Sequence, residues 1–256
     1  MDGLTIAIPT WNHEFFLPRS ILSALEVVRE LRSFDVPAEV LVIDDGSRDG
    51  SSGLLRNLEA RYAGKGLRVR QHLTNSGPAE TRNSALRHSQ YASIVFLDAD
   101  NELFPQNMPT LYRALRETGA ASVYGNLFKC RQGSSKAFQL LSNESIQSRL
   151  FDQNYIDTCA LFDRAQLLDL NGYCSQYWED WEMWMHLATN GRRIIFIPLS
   201  IGCYYELPNS MVQAHSDTQW NAQWDRSQRI YKQVGFRKFL ATRTEQLSYL
   251  PGVGYL

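Results

Sequence analysis

The first apolar run, Leu4-Thr5-Ile6-Ala7-Ile8, is short and partly β-branched and predicts a strand stopped by Pro9. A helical pattern follows, with Phe16, Ile21, Leu22, Leu25, Val28 and Leu31 as its apolar face. Glu39 to Ile43 predicts a second strand, ended by Asp44-Asp45-Gly46-Ser47. Leu54, Leu55, Leu58 and Tyr62 mark a second helix, and Leu67-Arg68-Val69 begins a third, short strand. Ser76-Gly77-Pro78 opens a helix running to about His88, with Pro78 suited to its first turn. The run Ile94 to Leu97 predicts a strand buried on both faces of a parallel sheet. Strand–helix alternation of this kind implies right-handed crossovers and a mainly parallel sheet, with these strand ends along one edge.

Beyond about Asn107 the pattern loosens. A helix near Met108 to Glu117 leads to a strand at Ala121 to Phe128, and Arg131 to Lys136 is polar enough for a loop or hairpin turn. Cys159 to Phe162 suits a strand, Trp178 to Thr189 a helix ended by Asn190-Gly191, and Arg193 to Ile197 a strand stopped by Pro198. Gln219 to Leu247 reads as helical with polar faces, and no internal repeat or low-complexity linker divides the chain.

The composition changes this picture little. The 256 residues are 44% hydrophobic and 21% charged, ordinary for a globular protein. Lys and Arg total 26 against 27 acidic residues, a net charge of -1, which argues against bulk attraction to nucleic acid. No apolar stretch approaches a transmembrane span, and the first residues lack the basic-then-apolar pattern of a signal sequence. The 4 cysteines, Cys130, Cys159, Cys174 and Cys203, show no CxxC spacing, so reduced thiols are the simplest account.

The candidate chemistry begins at Asp98-Ala99-Asp100, the carboxyl end of the apolar run at 94–97, where open α/β sheets bind their ligands. Two carboxylates that close repel unless a cation lies between them, and hard divalent ions prefer oxygen ligands. The pair therefore fits a Mg²⁺ or Mn²⁺ site for a phosphorylated ligand. By itself it fits equally well a solvated turn in which Asp98 caps the next segment.

Taken in order, Ile6 to Asn12, Val42 to Gly50, Asn75-Ser76-Gly77 with Thr81-Arg82-Asn83, and Phe96 to Asn101 resemble family-2 glycosyltransferases of the GT-A fold. The resemblance continues into Trp178-Glu179-Asp180-Trp181-Glu182-Met183-Trp184, which looks like that family's Glu-Asp acceptor motif, and covers roughly the first two hundred residues. It implies an α/β GT-A fold: a mainly parallel, Rossmann-like central sheet flanked by helices, with a C-terminal helical extension. The implied division is a glycosyltransferase domain over 1–206, its nucleotide-binding part about 1–106 and its acceptor part about 107–206, followed by a loop and helical extension over 207–256. The implied activity is inverting transfer of a sugar from a nucleotide-diphosphate donor, expected to be UDP-linked, to a saccharide, lipid-linked or protein hydroxyl.

The same resemblance assigns roles. Pro9, Thr10, Trp11 and Asn12 border the donor, with Trp11, where the family usually has Tyr, either stacking on the base or plugging the sheet edge. Asp45 resembles the residue that accepts from the uracil imide N–H, and Asp44 either joins it or holds loops together. Arg82 approaches the donor and steadies its acidic residues or diphosphate, although a structural ion pair explains it as well. Asp98 and Ala99 contact the donor's ribose or sugar, Asp98 also counting as a metal ligand, and Asp100 coordinates Mn²⁺ or Mg²⁺ directly, with His215 as a further candidate ligand. Asp180 is the expected general base, and Glu179 orients the acceptor or caps the helix. Trp178 is the expected acceptor contact, while the spacing of Trp181, Trp184 and Met185 suits core packing.

One departure stands out: Glu206 occupies a place where the family often has Arg, so contacts there do not transfer. Arg237, Lys238 and Arg243, interleaved with Phe236, Phe239 and Leu240, fit either a solvated helix or peripheral contact with an anionic membrane. The expected location is cytoplasmic, with room for contact at the inner face of the membrane. The competing classes are weaker. Dehalogenase-like phosphatases want Thr or Val where Glu102 stands, and receiver domains need a strand-end Lys that is missing here. A nucleotide-sugar binding module without catalysis satisfies the same motifs.

Overall fold

The structure, a computed structural model, describes residues 1–131, 139–141, 150, 153–174, 178–206, 225, 249–250 and 254–255. Its first half alternates strand and helix: β1 (Leu4–Thr10), α1 (Leu17–Ser33), β2 (Ala38–Asp44), α2 (Ser51–Tyr62), β3 (Leu67–Gln71), α3 (Pro78–His88) and β4 (Ser93–Phe96). There follow β5 (Glu102–Leu103), α4 (Met108–Thr118), β6 (Ser122–Arg131), β7 (Gln139–Leu141), β8 (Ala160–Asp163), α5 (Arg164–Asp169), α6 (Glu179–Thr189) and β9 (Ile194–Glu206). One sheet joins all nine strands in the order β3-β2-β1-β4-β8-β6-β9-β5, with β7 on β6.

The pairs β3–β2, β2–β1 and β1–β4 are parallel, as crossover helices require, so their carboxyl ends share an edge. Past β4 the sheet is mixed rather than mainly parallel. β8 runs antiparallel to both its neighbours, β6–β9 is parallel, and β5–β9 and β6–β7 are antiparallel. Parallel pairing thus dominates the first four strands and returns in the β6–β9 pair. The later strands are not joined by regular strand–helix units, so nothing imposes one direction on them.

The side-chain alternation of a strand explains the apolar runs. Ile6, Ile8, Val40 and Val42 face a layer containing Ile21, Leu25, Val28 and Leu31 of α1. Ala7, Leu41, Ile43 and Phe96 face the opposite layer, with Ala85 and Leu86 of α3 and Trp181 and Trp184 of α6. Both faces are covered, so every residue of β2 is buried, including Asp44 at its end. Leu22, expected on the buried face of α1, is 45% exposed, because it follows Ile21 by one step and lies well round the helix.

Two prolines do not stop their strands. Pro9 and Thr10 continue the β2 ladder after pairing with β4 has ended at Ala7, so the missing N–H of Pro9 leaves no ladder bond unmade on that side. β9 runs through Pro198 because the register against β6 shifts around Asn126, and Pro198 is exposed within that irregularity. β5 and α5 are too short to announce themselves by periodicity. The helix expected over 219–247, apart from Asp225, and the basic cluster at Arg237, Lys238 and Arg243 lie outside the described residues. Close to the chain's end, Tyr249–Leu250 pairs antiparallel with Gly254–Tyr255.

Candidate active site

The loops after β1, β2 and β3 are stitched to one another. Asn12 takes a left-handed conformation (φ 57°), which Asn tolerates better than most residues. Its side-chain oxygen accepts from Arg48 N (2.8 Å), and its own N–H donates to Ser47 Oγ (2.9 Å). Trp11 is 44% exposed on this rim, while Pro9 is half-buried and Thr10 is buried. His13, which the pattern of residues did not single out, packs under the same turn within reach of Thr10 Oγ1 (3.3 Å). Burial lowers its pKa, against the pull of Asp98 and Asp49, and so favours a neutral ring.

The two carboxylates at the end of β2 and just beyond it serve the loops. Asp44 accepts from Ser47 N (3.0 Å) and Ser52 Oγ (2.8 Å). Asp45 is also buried. Its oxygens accept from Ser76 N (2.9 and 3.0 Å) and Gly77 N (2.8 Å), and one lies 2.7 Å from His72 Nδ1. Three groups thus meet this carboxylate, which offers about four lone-pair positions, with Ser76 N shared between its two oxygens. Asp45 therefore anchors the loop that enters α3.

Arg82 is the centre of the site. It lies on α3, 6% exposed, with one guanidinium nitrogen on Asp98 Oδ1 (3.1 Å) and another on the carboxylate of Glu179. Residues 16 and 97 positions away in sequence are thereby brought to one side chain. Burial acts to lower the Arg82 pKa, yet Glu179 and Asp98 together hold it raised. Burial also raises the pKa of Glu179, with Arg82 acting against it.

Around this pair lie three further acids. Asp180 is half-buried, and its Oδ2 accepts from Asn154 Nδ2 (3.0 Å). Asp157, between the two motifs, accepts from Cys159 N (2.8 Å); burial first and Asp98 second push its pKa up. Asp100 is pushed up to about 6 by burial and then by Asp98, with the Arg19 charge opposing. Asn154 and Asp157 belong to no recognisable sequence pattern, and only the fold brings them to the site. Ala99 is buried between Asp98 and Asp100.

α6 begins at the motif itself. Trp178 is its N-cap in a left-handed conformation (φ 59°), uncommon for an aromatic residue, with its ring edge-on to Trp181 at 5.7 Å. Glu179 and Asp180 occupy the first turn, where acids are favoured by the helix dipole. Trp181, Trp184 and Met185 are fully buried. Trp178 is half-buried beside the acids and belongs to the same apolar layer. Glu206, the unexpected acid, pairs with Lys129 across β9 and β6, so its charge is met on the neighbouring strand.

Among the described residues no group of three or more His, Cys, Asp or Glu gathers around a point that could hold a metal ion. His215 lies outside those residues. What remains is Asp98 and Asp100, which suits a hard cation held by one or two carboxylates with phosphate oxygens completing its shell. The upward push of Asp98 on the Asp100 pKa fits such an ion.

The family model for glycosyl transferase family 2 matches residues 5–169, from β1 to the end of α5. The chain belongs to glycosyl transferase family 2. Proteins similar to it include an uncharacterized glycosyltransferase of Haemophilus influenzae, 30% identical over 132 residues, covering 51% of this chain and 49% of the relative. Another is the GalNAc(5)-diNAcBac-PP-undecaprenol beta-1,3-glucosyltransferase of Campylobacter jejuni, 29% identical over 142 residues, covering 54% and 42%. The chain thus spans about half the length of the curated relatives it matches. A solved structure of S. aureus TarS 1–349 in complex with UDP-GlcNAc superposes with a TM-score of 0.66 at 19% identity, over 84% of this chain and 61% of that one. That likeness identifies the GT-A fold. No described helix is long and apolar enough to cross a membrane.

Proposed function

We propose that this family-2 chain transfers a sugar from a UDP-linked donor to a hydroxyl acceptor with inversion at the anomeric carbon. The observation that carries the reading is Arg82 bonded at once to Asp98 and Glu179, which brings the motifs at 98–100 and 178–184 to one side chain. The acceptor oxygen attacks the anomeric carbon, the bond from that carbon to the diphosphate oxygen breaks, and the acceptor proton passes to a carboxylate. Asp180 suits that task better than Glu179. The Glu179 carboxylate is held by a guanidinium, whereas Asp180 is oriented by the neutral amide of Asn154. Asp98 and Asp100 would hold Mn²⁺ or Mg²⁺ together with the diphosphate. When bound, the cation supplies positive charge against the leaving nucleoside diphosphate.

The face of Trp11 at the rim offers a stacking surface for the base, worth roughly 1–3 kcal/mol by comparison with base–aromatic stacking elsewhere. The preference for uridine is supported by the TarS complex with UDP-GlcNAc, whose fold the chain shares. We assign donor binding to about 1–106 and acceptor binding to about 107–206, with 207–256 as an extension. The change from parallel to mixed sheet just past β4 supports this division. The name of the Campylobacter jejuni relative supports a lipid-linked saccharide among the candidate acceptors, with the chain working in the cytoplasm and touching the membrane peripherally. The test is single-turnover transfer with saturating donor. Asp180→Asn should bind UDP with near-wild-type affinity and transfer roughly 10²–10⁴-fold more slowly, with Glu179→Gln milder. Near-wild-type transfer by Asp180→Asn removes the base assignment.

A further inference from the structure

The turn that carries Asp98 and Asp100 is braced from behind by two residues, Arg19 and Tyr205, to which the sequence alone assigned no role. Arg19, in the first turn of α1, places its guanidinium carbon 3.6 Å from the centre of the Tyr205 ring near the end of β9. That is a close cation–π contact. The same guanidinium donates through Nη2 to the backbone carbonyl of Asp100. Tyr205 in turn holds the next two residues: its N–H donates to Asn101 Oδ1 (2.9 Å), and its hydroxyl donates to the Glu102 carboxylate. Asn101 N closes the turn onto Asp98 O (3.0 Å), and Leu103 N is held by Ser23 Oγ (3.2 Å), again from α1. Asp100, Asn101 and Glu102 are therefore each tied to Arg19 or Tyr205, and the bond from Arg19 falls on one of the two acids of the turn.

We infer that Arg19 is a positioning residue for cation-dependent donor binding: stacked on Tyr205 and bonded to the Asp100 carbonyl, it sets the orientation of the Asp98-Ala99-Asp100 turn. The inference rests on the reading of that turn as the cation and diphosphate site. The job needs a flat, forked cation, since one group must lie over a ring and also donate in its own plane. A lysine ammonium is a compact point charge that can satisfy only one of the two. The brace also ties α1, in the parallel half of the sheet, to β9 in the mixed half, so the turn is held from both sides.

The test uses the full chain, Mn²⁺ and UDP. Arg19→Lys and Tyr205→Leu should each raise the Mn²⁺ concentration that half-saturates UDP binding by about 10–100-fold, the usual cost of losing a group that orients a metal ligand. Their weak UDP binding in EDTA should stay at the wild-type level. Tyr205→Phe, which keeps the ring, should stay close to wild type in its Mn²⁺ requirement. An unmoved Mn²⁺ requirement in Arg19→Lys and Tyr205→Leu overturns the inference. So does an equal loss of UDP binding with and without Mn²⁺, which marks a merely structural role. If Arg19→Lys fails to fold, Tyr205→Leu decides by the same readout. Wild-type binding indifferent to Mn²⁺ would instead defeat the cation reading itself, whatever the variants do.

Discussion

Replacing Arg82 by Met removes the charge at the centre of the site and nearly preserves its volume. Glu179, 8% exposed, and Asp98 then lose their guanidinium partner beside Asp157 and Asp180. Removing one partner of a buried ion pair costs about 3–5 kcal/mol. Two charge-assisted hydrogen bonds at roughly 1.5–3 kcal/mol each give a similar figure. For a chain of this size that corresponds to a fall in Tm of roughly 6–20 °C, at about 2–4 °C per kcal/mol. The loss should depend on pH, and its sign can be worked out. Burial raises the Glu179 pKa and Arg82 opposes it, so without Arg82 the folded value climbs further. A carboxyl whose folded pKa is raised favours the fold below its unfolded pKa of about 4.3 and loses that contribution as pH rises through the folded value. Arg82→Met should therefore lie closer to wild type near pH 5 than near pH 8 in urea unfolding followed by circular dichroism. A loss below about 1 kcal/mol, or one identical at both pH values, refutes the account of Arg82 as the partner of buried acids.

Asp100 gives a second pH prediction. Its pKa of about 6, raised by burial and by Asp98, means that the stability it contributes is present below the unfolded value of 3.8 and is lost as pH rises through about 6. A cation competes with that proton, so Mn²⁺ should raise Tm more near pH 8 than near pH 5, and equal shifts would count against the carboxylates as its ligands. Asp45→Asn tests the anchoring role of that residue. An amide offers a single acceptor oxygen to Ser76 N and Gly77 N, so stability should fall by about 1–3 kcal/mol, and both amides should exchange faster with solvent. Unchanged exchange at Ser76 and Gly77 would return Asp45 to the list of groups free for a ligand.

The parallel half of the fold was legible because both faces of β1, β2 and β4 are covered, and double burial writes itself as an unbroken apolar run. Pro78 at the start of α3 and the spacing of α1 were legible for equally local reasons. β5 was not, since two residues carry no period, and neither was the passage of β9 through Pro198, which depends on a register shift against a strand seventy residues earlier. The same division holds at the site. Asp98, Asp100, Glu179 and Asp180 stand in short motifs, and Arg82 in another. Asn154, Asp157 and Arg19 are isolated along the chain, Tyr205 only adjoins the departure at Glu206, and all four meet the motifs through the fold. Asp45 was legible as a site residue but not as a buried one, because its partners, the amides of Ser76 and Gly77, leave no trace in side-chain chemistry.

The central claim is that Asp98 and Asp100 make a cation-dependent pocket for a uridine diphosphate donor. Calorimetric titration of UDP into the wild-type chain and Asp100→Ala, each in Mn²⁺ and in EDTA, with ADP, CDP and GDP as competitors, tests it most directly. The account predicts tight binding of UDP to the wild type in Mn²⁺, a large loss in EDTA, a matching loss in folded Asp100→Ala, and weaker binding of the other nucleotides. UDP affinity indifferent to both EDTA and the Asp100 replacement would contradict it.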